Sequence, residues 1–189
     1  MQQDEFLRFN GKIYVVSKHS ENFKEVINLL KASSIVGFDT ESKPSFRKGL
    51  TNKPSLIQFA TKEFAVLYRI QKQSIANEII SILEDENIIK VGTGITQDLN
   101  QLSKISVFKP ASFVDIQKLA QKLSINNISL KKLTEQLLNK KLSKRQQLSN
   151  WEAINLSDAQ IKYAATDAYA CLLIYEKLIN ELSKNNNKE

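Results

Sequence analysis

The sequence predicts an α/β domain, a mixed central sheet flanked by helices, and three observations carry that prediction. Apolar residues recur at a strand period mainly in the first two thirds of the chain and at a helical period between and after those segments. The run Ile35-Val36-Gly37-Phe38 is apolar on both faces, as a strand covered on both sides must be. The composition is 42% hydrophobic with only 5 Gly and 3 Pro among 189 residues, which supplies a core and leaves little chain for long loops. We therefore expect one folded domain over residues 1–184 and a polar, frayed tail at 185–189.

Taken in order, Lys12 to Val16 reads as a short strand. Glu21 to Ala32 carries Phe23, Val26, Ile27 and Leu30 on one helical face. Ser34 to Glu41 is the buried strand, and Ser55–Ala60 and Glu63–Arg69 are two more, joined near Thr61-Lys62 by a junction short enough for a hairpin. A helical pattern from Ser74 to Leu83 precedes a strand at Ile88–Val91, which Gly92-Thr93-Gly94 breaks. A helix near Gln97–Lys104, a strand near Ser112–Val114 and helices near Ile116–Leu123 and Leu130–Leu138 follow. Ser157 and Gln160 have capping-box spacing, so the last long helix starts after Ser157.

Composition removes several function classes. Cys171 is alone, so the chain holds no internal disulfide, and with His19 as the sole histidine it has no thiolate-rich metal site. We expect Cys171 to be a small buried apolar residue and His19 to lie at the start of the first helix without catalytic duty. The acidic, polar beginning Met1-Gln2-Gln3-Asp4-Glu5 is unlike a secretory signal, and no apolar run is long enough to span a membrane, so a cytoplasmic protein without a membrane partner is expected. A net charge of +7 favours a polyanionic partner such as nucleic acid; protein partners are not legible.

Acidic residues fall where chemistry is usually built. Asp39 and Glu41 lie two apart at the exit of the buried strand, so they share a face where open α/β sheets bind ligands. Their mutual repulsion would be relieved by a hard divalent cation such as magnesium. Asp98 falls in the first turn of a helix, whose dipole favours an ionised carboxylate. Tyr163 and Asp167 lie four apart on the last helix, and the small residues Ala164, Ala165, Ala168 and Ala170 would let that helix approach the sheet and bring Asp167 to the strand acids. Taken singly, each acid reads more readily as a solvated or helix-start residue. Gly92-x-Gly94 permits a dinucleotide reading with Asp115 near the ribose position, but Gln97 stands where a third small residue belongs.

Together, Phe38-Asp39-Thr40-Glu41, Gly94-Ile95-Thr96-Gln97-Asp98 and Tyr163-Ala164-Ala165-Thr166-Asp167 resemble the three motifs of the DEDD superfamily of 3′–5′ exonucleases, in order and spacing. The tyrosine four residues before the last acid resembles the branch that includes ribonuclease D and the Werner-type domain. Leu130-Lys-Lys-Leu133 and Leu148-Ser149-Asn150-Trp151 also read like Werner-type members. The resemblance implies a ribonuclease H-like fold and hydrolysis of terminal phosphodiester bonds, releasing nucleoside 5′-monophosphates from a single-stranded or frayed 3′ end. It implies two divalent cations, Mg2+ or Mn2+, held by Asp39, Glu41 and Asp167 with Asp98 assisting, and an attacking water oriented by Tyr163. A nucleic-acid-binding module of the same fold without turnover is the alternative.

After Glu41 the basic loop differs from the Werner-type pattern of tryptophan and prolines. Phe46, Arg47, Lys48 and Lys53, together with Thr40 of the first motif, are the expected nucleic-acid contacts, with Phe46 stacking a base and the cations touching the backbone. The second basic group, Lys140, Lys141, Lys144 and Arg145, reads as a solvated face, and Trp151 as a packing anchor. Ribonuclease D carries additional helical domains that this chain is too short to hold, which tilts the expected substrate toward DNA over RNA.

Overall fold

The computed structural model describes residues 5–45, 52–126 and 128–186. Six strands are formed by β1 (Lys12–Val16), β2 (Ile35–Ser42), β3 (Pro54–Ala60), β4 (Phe64–Arg69), β5 (Ile89–Gly92) and β6 (Phe113–Asp115). Six helices alternate with them or follow: α1 (Phe23–Lys31), α2 (Asn77–Glu84), α3 (Ile95–Ser103), α4 (Ile116–Lys122), α5 (Leu130–Leu138) and α6 (Asp158–Asn186). The sheet order is β1-β4-β3-β2-β5-β6. β3 runs antiparallel to both β2 and β4, whereas the β1–β4, β2–β5 and β5–β6 pairs are parallel, so the sheet is mixed as the sequence predicts.

Element ends moved for local reasons. Gln71 to Ser74 form a tight turn in which Lys72 and Gln73 take positive φ, so α2 starts at Asn77 rather than Ser74. Gly94, at φ +62°, turns the chain into α3 two residues earlier than expected. The hairpin between β3 and β4 closes on the Thr61 hydroxyl, which accepts from the Phe64 and Glu63 amides at 3.0 and 3.2 Å. Helix α6 continues through Asn186, two residues into the expected tail.

Strand alternation sorts the core into two layers. Val36 and Phe38 of β2, with Ile57, Phe59, Val66 and Tyr68, pack against Phe23, Val26 and Leu30 of α1 and Ile79 and Ile82 of α2. On the opposite face, Leu56, Ala60, Ala65 and Leu67 meet Trp151, Ala164, Ala165 and Ala168, and Val91 meets α4 to α6. Gly37 is where α6 touches the sheet: a Cβ at that position would lie 1.8 Å from the Ala168 carbonyl oxygen. The small residues thus bring the helix against β2, and only glycine fits beneath it. Cys171 is buried on α6, and His19 is exposed in the turn before α1. Among the described residues, no helix is long and apolar enough to cross a membrane.

Candidate active site

The alternation that buries Val36 and Phe38 on one face turns Gly37, Asp39 and Glu41 toward α6. A register shift between Glu41 and Ser42 marks a bulge where β2 leaves its pairing with β3, as is common beside functional sites. From above, α6 is held in register by its capping box. The Ser157 amide donates to Gln160 Oε1 at 3.0 Å, and the Gln160 amide donates to Ser157 Oγ at 3.3 Å. Gln160 also ties this helix start to the preceding loop, donating through Nε2 to Ser149 Oγ and the Asn150 carbonyl. Tyr163 follows one turn later and Asp167 a turn after that.

These placements bring carboxylate oxygens of Asp39, Glu41 and Asp167 within 4.8 Å of one another, a group that could hold a metal ion. Tyr163 lines the same cavity as Asp167, one helical turn before it, and its hydroxyl favours the ionised form of that carboxyl. Its ring lies 5.9 Å, centroid to centroid, from fully buried Trp151, which is the packing anchor the sequence suggests. Arg69 anchors that segment, donating to the Ala153 carbonyl at 2.6 Å and the Ile154 carbonyl at 3.4 Å. Asp98 enters by another route. Thr40 donates its hydroxyl to Asp98 Oδ1 at 2.7 Å and its amide to Asp39 Oδ1 at 2.8 Å, so one residue of β2 joins the α3 acid to the three-acid group.

Packing these acids together alters their proton affinity. Burial first, then the charges of Asp98 and Asp167, hold Asp39 well above the ordinary aspartate range. Burial and then Asp39 push Glu41 up to about 10. Asp167 rises to about 7 through burial, opposed by the Tyr163 hydrogen bond. Burial lifts Asp98 to about 6, so the helix dipole that was expected to keep it ionised works against desolvation. The Tyr163 phenol is shifted upward, chiefly by burial and next by the Asp167 charge, and stays protonated. Closely spaced carboxylates that resist ionisation are a donor set that a hard divalent cation satisfies.

The site opens to a cavity of about 300 Å³ whose walls include Asp39, Thr40, Glu41, Tyr163 and Asp167. Its other walls were not anticipated from sequence: Ser129 to Lys131 at the start of α5, and Ser143, Lys144 and Gln147. Lys144 belongs to the basic group read as a solvated face; it is exposed and lines this cavity two residues after buried Leu142. Gln58 was also missed. It lies directly across β2–β3 from Asp39, is fully buried, and neither its amide oxygen nor its nitrogen has a hydrogen-bond partner. Such a group costs about 1–3 kcal/mol.

Phe46, Arg47 and Lys48 lie outside the described residues. Lys53 is exposed and donates to Gln73 Oε1 at 2.7 Å. Asp115 accepts from the Gln117 amide at 2.9 Å and caps α4, which gives its carboxylate a structural partner in place of the ribose suggested by the dinucleotide reading.

A family profile described as 3′–5′ exonuclease matches residues 14–183. The chain belongs to the 3′–5′ exonuclease family. Members of that family are hydrolases acting on phosphodiester bonds. The chain is similar to the bifunctional 3′–5′ exonuclease/ATP-dependent helicase WRN of Mus musculus, 35% identical over 93% of this chain and 13% of that protein. It is also similar to a 3′–5′ exonuclease of Arabidopsis thaliana, 34% identical over 91% of this chain and 65% of the relative. The chain thus spans less than two thirds of either relative's length. Among solved structures, the EXO domain of Aedes aegypti Nibbler superposes with a TM-score of 0.79 at 25% identity, covering 91% of this chain and 89% of that one. The fold is ribonuclease H-like, as the motif resemblance implied.

Proposed function

We propose that this chain hydrolyses the terminal phosphodiester bond at the 3′ end of a single-stranded or frayed nucleic acid. The observation that carries the reading is the convergence of Asp39, Glu41 and Asp167, with carboxylate oxygens within 4.8 Å, beside the Tyr163 hydroxyl. Asp39, Glu41 and Asp167 would hold two divalent cations, Mg2+ or Mn2+, with Asp98 acting through Thr40. Bound there, such cations neutralise the acids, activate the attacking water and stabilise the leaving oxygen. Tyr163, kept protonated, orients the water through its hydroxyl rather than abstracting its proton. The water oxygen gives up a proton to solvent as it bonds to phosphorus, the bond from phosphorus to the 3′ oxygen of the penultimate sugar breaks, and that oxygen takes up a proton from solvent. A nucleoside 5′-monophosphate and a new 3′ hydroxyl result.

Residues 1–184 are proposed as the catalytic domain, with Thr40, Phe46, Arg47, Lys48 and Lys53 among its contacts to the strand. DNA is placed ahead of RNA on the sequence expectation alone, and the cytoplasm is the proposed site of action, in keeping with a lone buried thiol. The test gives 5′-labelled DNA and RNA oligomers of matched sequence to the purified chain, with Mg2+, Mn2+ or a chelator. A cation-dependent ladder shortening from the 3′ end, lost in Asp39→Asn, is expected, with DNA the faster substrate. Tight binding without any shortening would replace the enzyme reading with that of a binding module.

A further inference from the structure

We propose that the strand upstream of the scissile bond is held in a second cavity beside the acid pocket, formed by the amino-terminal segment, the 142–146 loop and α6. This rests on the exonuclease reading and names where the rest of its substrate goes. The cavity measures about 450 Å³ and shares Leu142, Ser143, Tyr163 and Asp167 with the acid pocket, so the two are contiguous. Away from that shared wall the charged lining is cationic: Arg8, Arg145 and Lys162. Phe6, 40% exposed, supplies an aromatic face at the same wall. Cations along a groove with an accessible ring are the combination that holds single-stranded nucleic acid.

The wall is built into the fold. The Leu7 amide donates to the Lys141 carbonyl and the Lys141 amide to the Glu5 carbonyl, both at 2.9 Å. The Lys141 side chain pairs with Glu5, and the Phe9 amide donates to Thr166 Oγ1 at 3.1 Å. The basic group at 140–145 is therefore divided: Lys141 fastens the amino-terminal segment, Lys144 faces the acid pocket, and Arg145 faces the second cavity.

The test measures binding of a 5′-labelled, ten-nucleotide single strand by fluorescence anisotropy across salt concentrations, in an Asp39→Asn background that cannot cleave it. Arg145→Gln with Lys162→Gln should weaken binding and flatten the slope of log affinity against log salt by about 0.7 for each cation removed. Arg145→Lys should restore most of the slope. Lys62→Gln, whose partner Glu176 lies 14 residues further along α6 than Lys162, should leave it unchanged. An unchanged slope in the double variant, or no binding by the background protein, overturns the proposal. Cleavage by the unsubstituted chain is read separately, so a dead enzyme with an intact salt response would refute the exonuclease reading alone.

A different observation carries a second inference: the geometry points to Gln58 as a positioning residue for Asp39. Directly opposed residues of an antiparallel pair share a face, with Cβ atoms about 4.5–5.5 Å apart. Gln58's neighbours on that face of the sheet are otherwise Leu56 and Ala60 along β3 and Leu67 on β4, so an apolar residue would suit the layer better. The register sets this unpaired, fully buried amide opposite Asp39, where a donor could hold the carboxylate in place as partners behind metal ligands do. Gln58→Met and Gln58→Leu should weaken Mn2+ binding to the metal-free chain about 10–100-fold in calorimetric titration. The kcat should fall with little change in KM, and metal-free melting should not drop. Wild-type Mn2+ affinity in both variants, or a lowered melting point in both with affinity intact, overturns this role.

Discussion

On one face of β2, Val36 and Phe38 are buried among aromatic and aliphatic side chains; on the other, two residues of the same strand, Asp39 and Glu41, are half-buried among carboxylates. The first face gains from leaving water, on the order of 1.5–3 kcal/mol for a large apolar side chain. The second loses, because desolvation and mutual repulsion both oppose its charged state. One strand thus carries a stabilising layer and a functional layer one residue apart, and the first offsets the cost of the second.

The largest expected effect belongs to the acidic face. Asp167→Asn should reduce cation-dependent hydrolysis by about three orders of magnitude or more, since metal-assisted charge stabilisation contributes several kcal/mol to the barrier. Steady-state assay against a folded control checks this, and near-normal turnover would break the contrast. On the apolar face, Phe38→Ala should cost about 3–5 kcal/mol in urea unfolding, without a selective effect on cation affinity. Tyr163→Phe keeps the ring against Trp151 and removes only the hydroxyl, so stability should hold while kcat falls roughly 100-fold, within the range typical of a positioned catalytic hydroxyl.

The smallest effect sharpens the contrast by pH. Asp98, Asp167 and Glu41, at about 6, 7 and 10, bind protons more tightly in the folded chain than in the unfolded one, where 3.8 to 4.5 applies. Between those limits the folded state holds more protons, so metal-free stability should fall as pH rises from 5 toward 10 and recover on acidification. Thermal melting in a chelator across that range checks the sign. Phe38→Ala should shift the whole curve without changing its slope.

Much of this was legible in the sequence because period and spacing report backbone geometry directly. The two-residue separation of Asp39 and Glu41, the four-residue separation of Tyr163 and Asp167, and the Ser157–Gln160 box each fix a local face, and alanines on α6 announce a close approach. Tertiary meaning was harder to read. Gly37 looked like part of an apolar run, yet it is the seat of Ala168. Thr40 reads from sequence only as a contact to the strand, and the link from its hydroxyl to Asp98 is set by α3 packing beside β2. Gln58 gives no signal until β3 is registered against β2, and Lys144 and Arg145, exposed as the sequence reading has them, gain their place on the cavity walls only when the loop folds beside the amino-terminal segment.

The central claim is that Asp39, Glu41 and Asp167 form a cation site that burdens the fold when no cation is bound. Melting of the chain and of Glu41→Gln, each with chelator and with Mg2+ at pH 7, tests it most directly. We predict that Mg2+ raises the melting temperature of the unsubstituted chain. Glu41→Gln, relieved of a carboxyl that must take up a proton to be buried, should melt higher in chelator and respond less to Mg2+. A chain indifferent to Mg2+, with Glu41→Gln melting lower than it in chelator, would contradict the account.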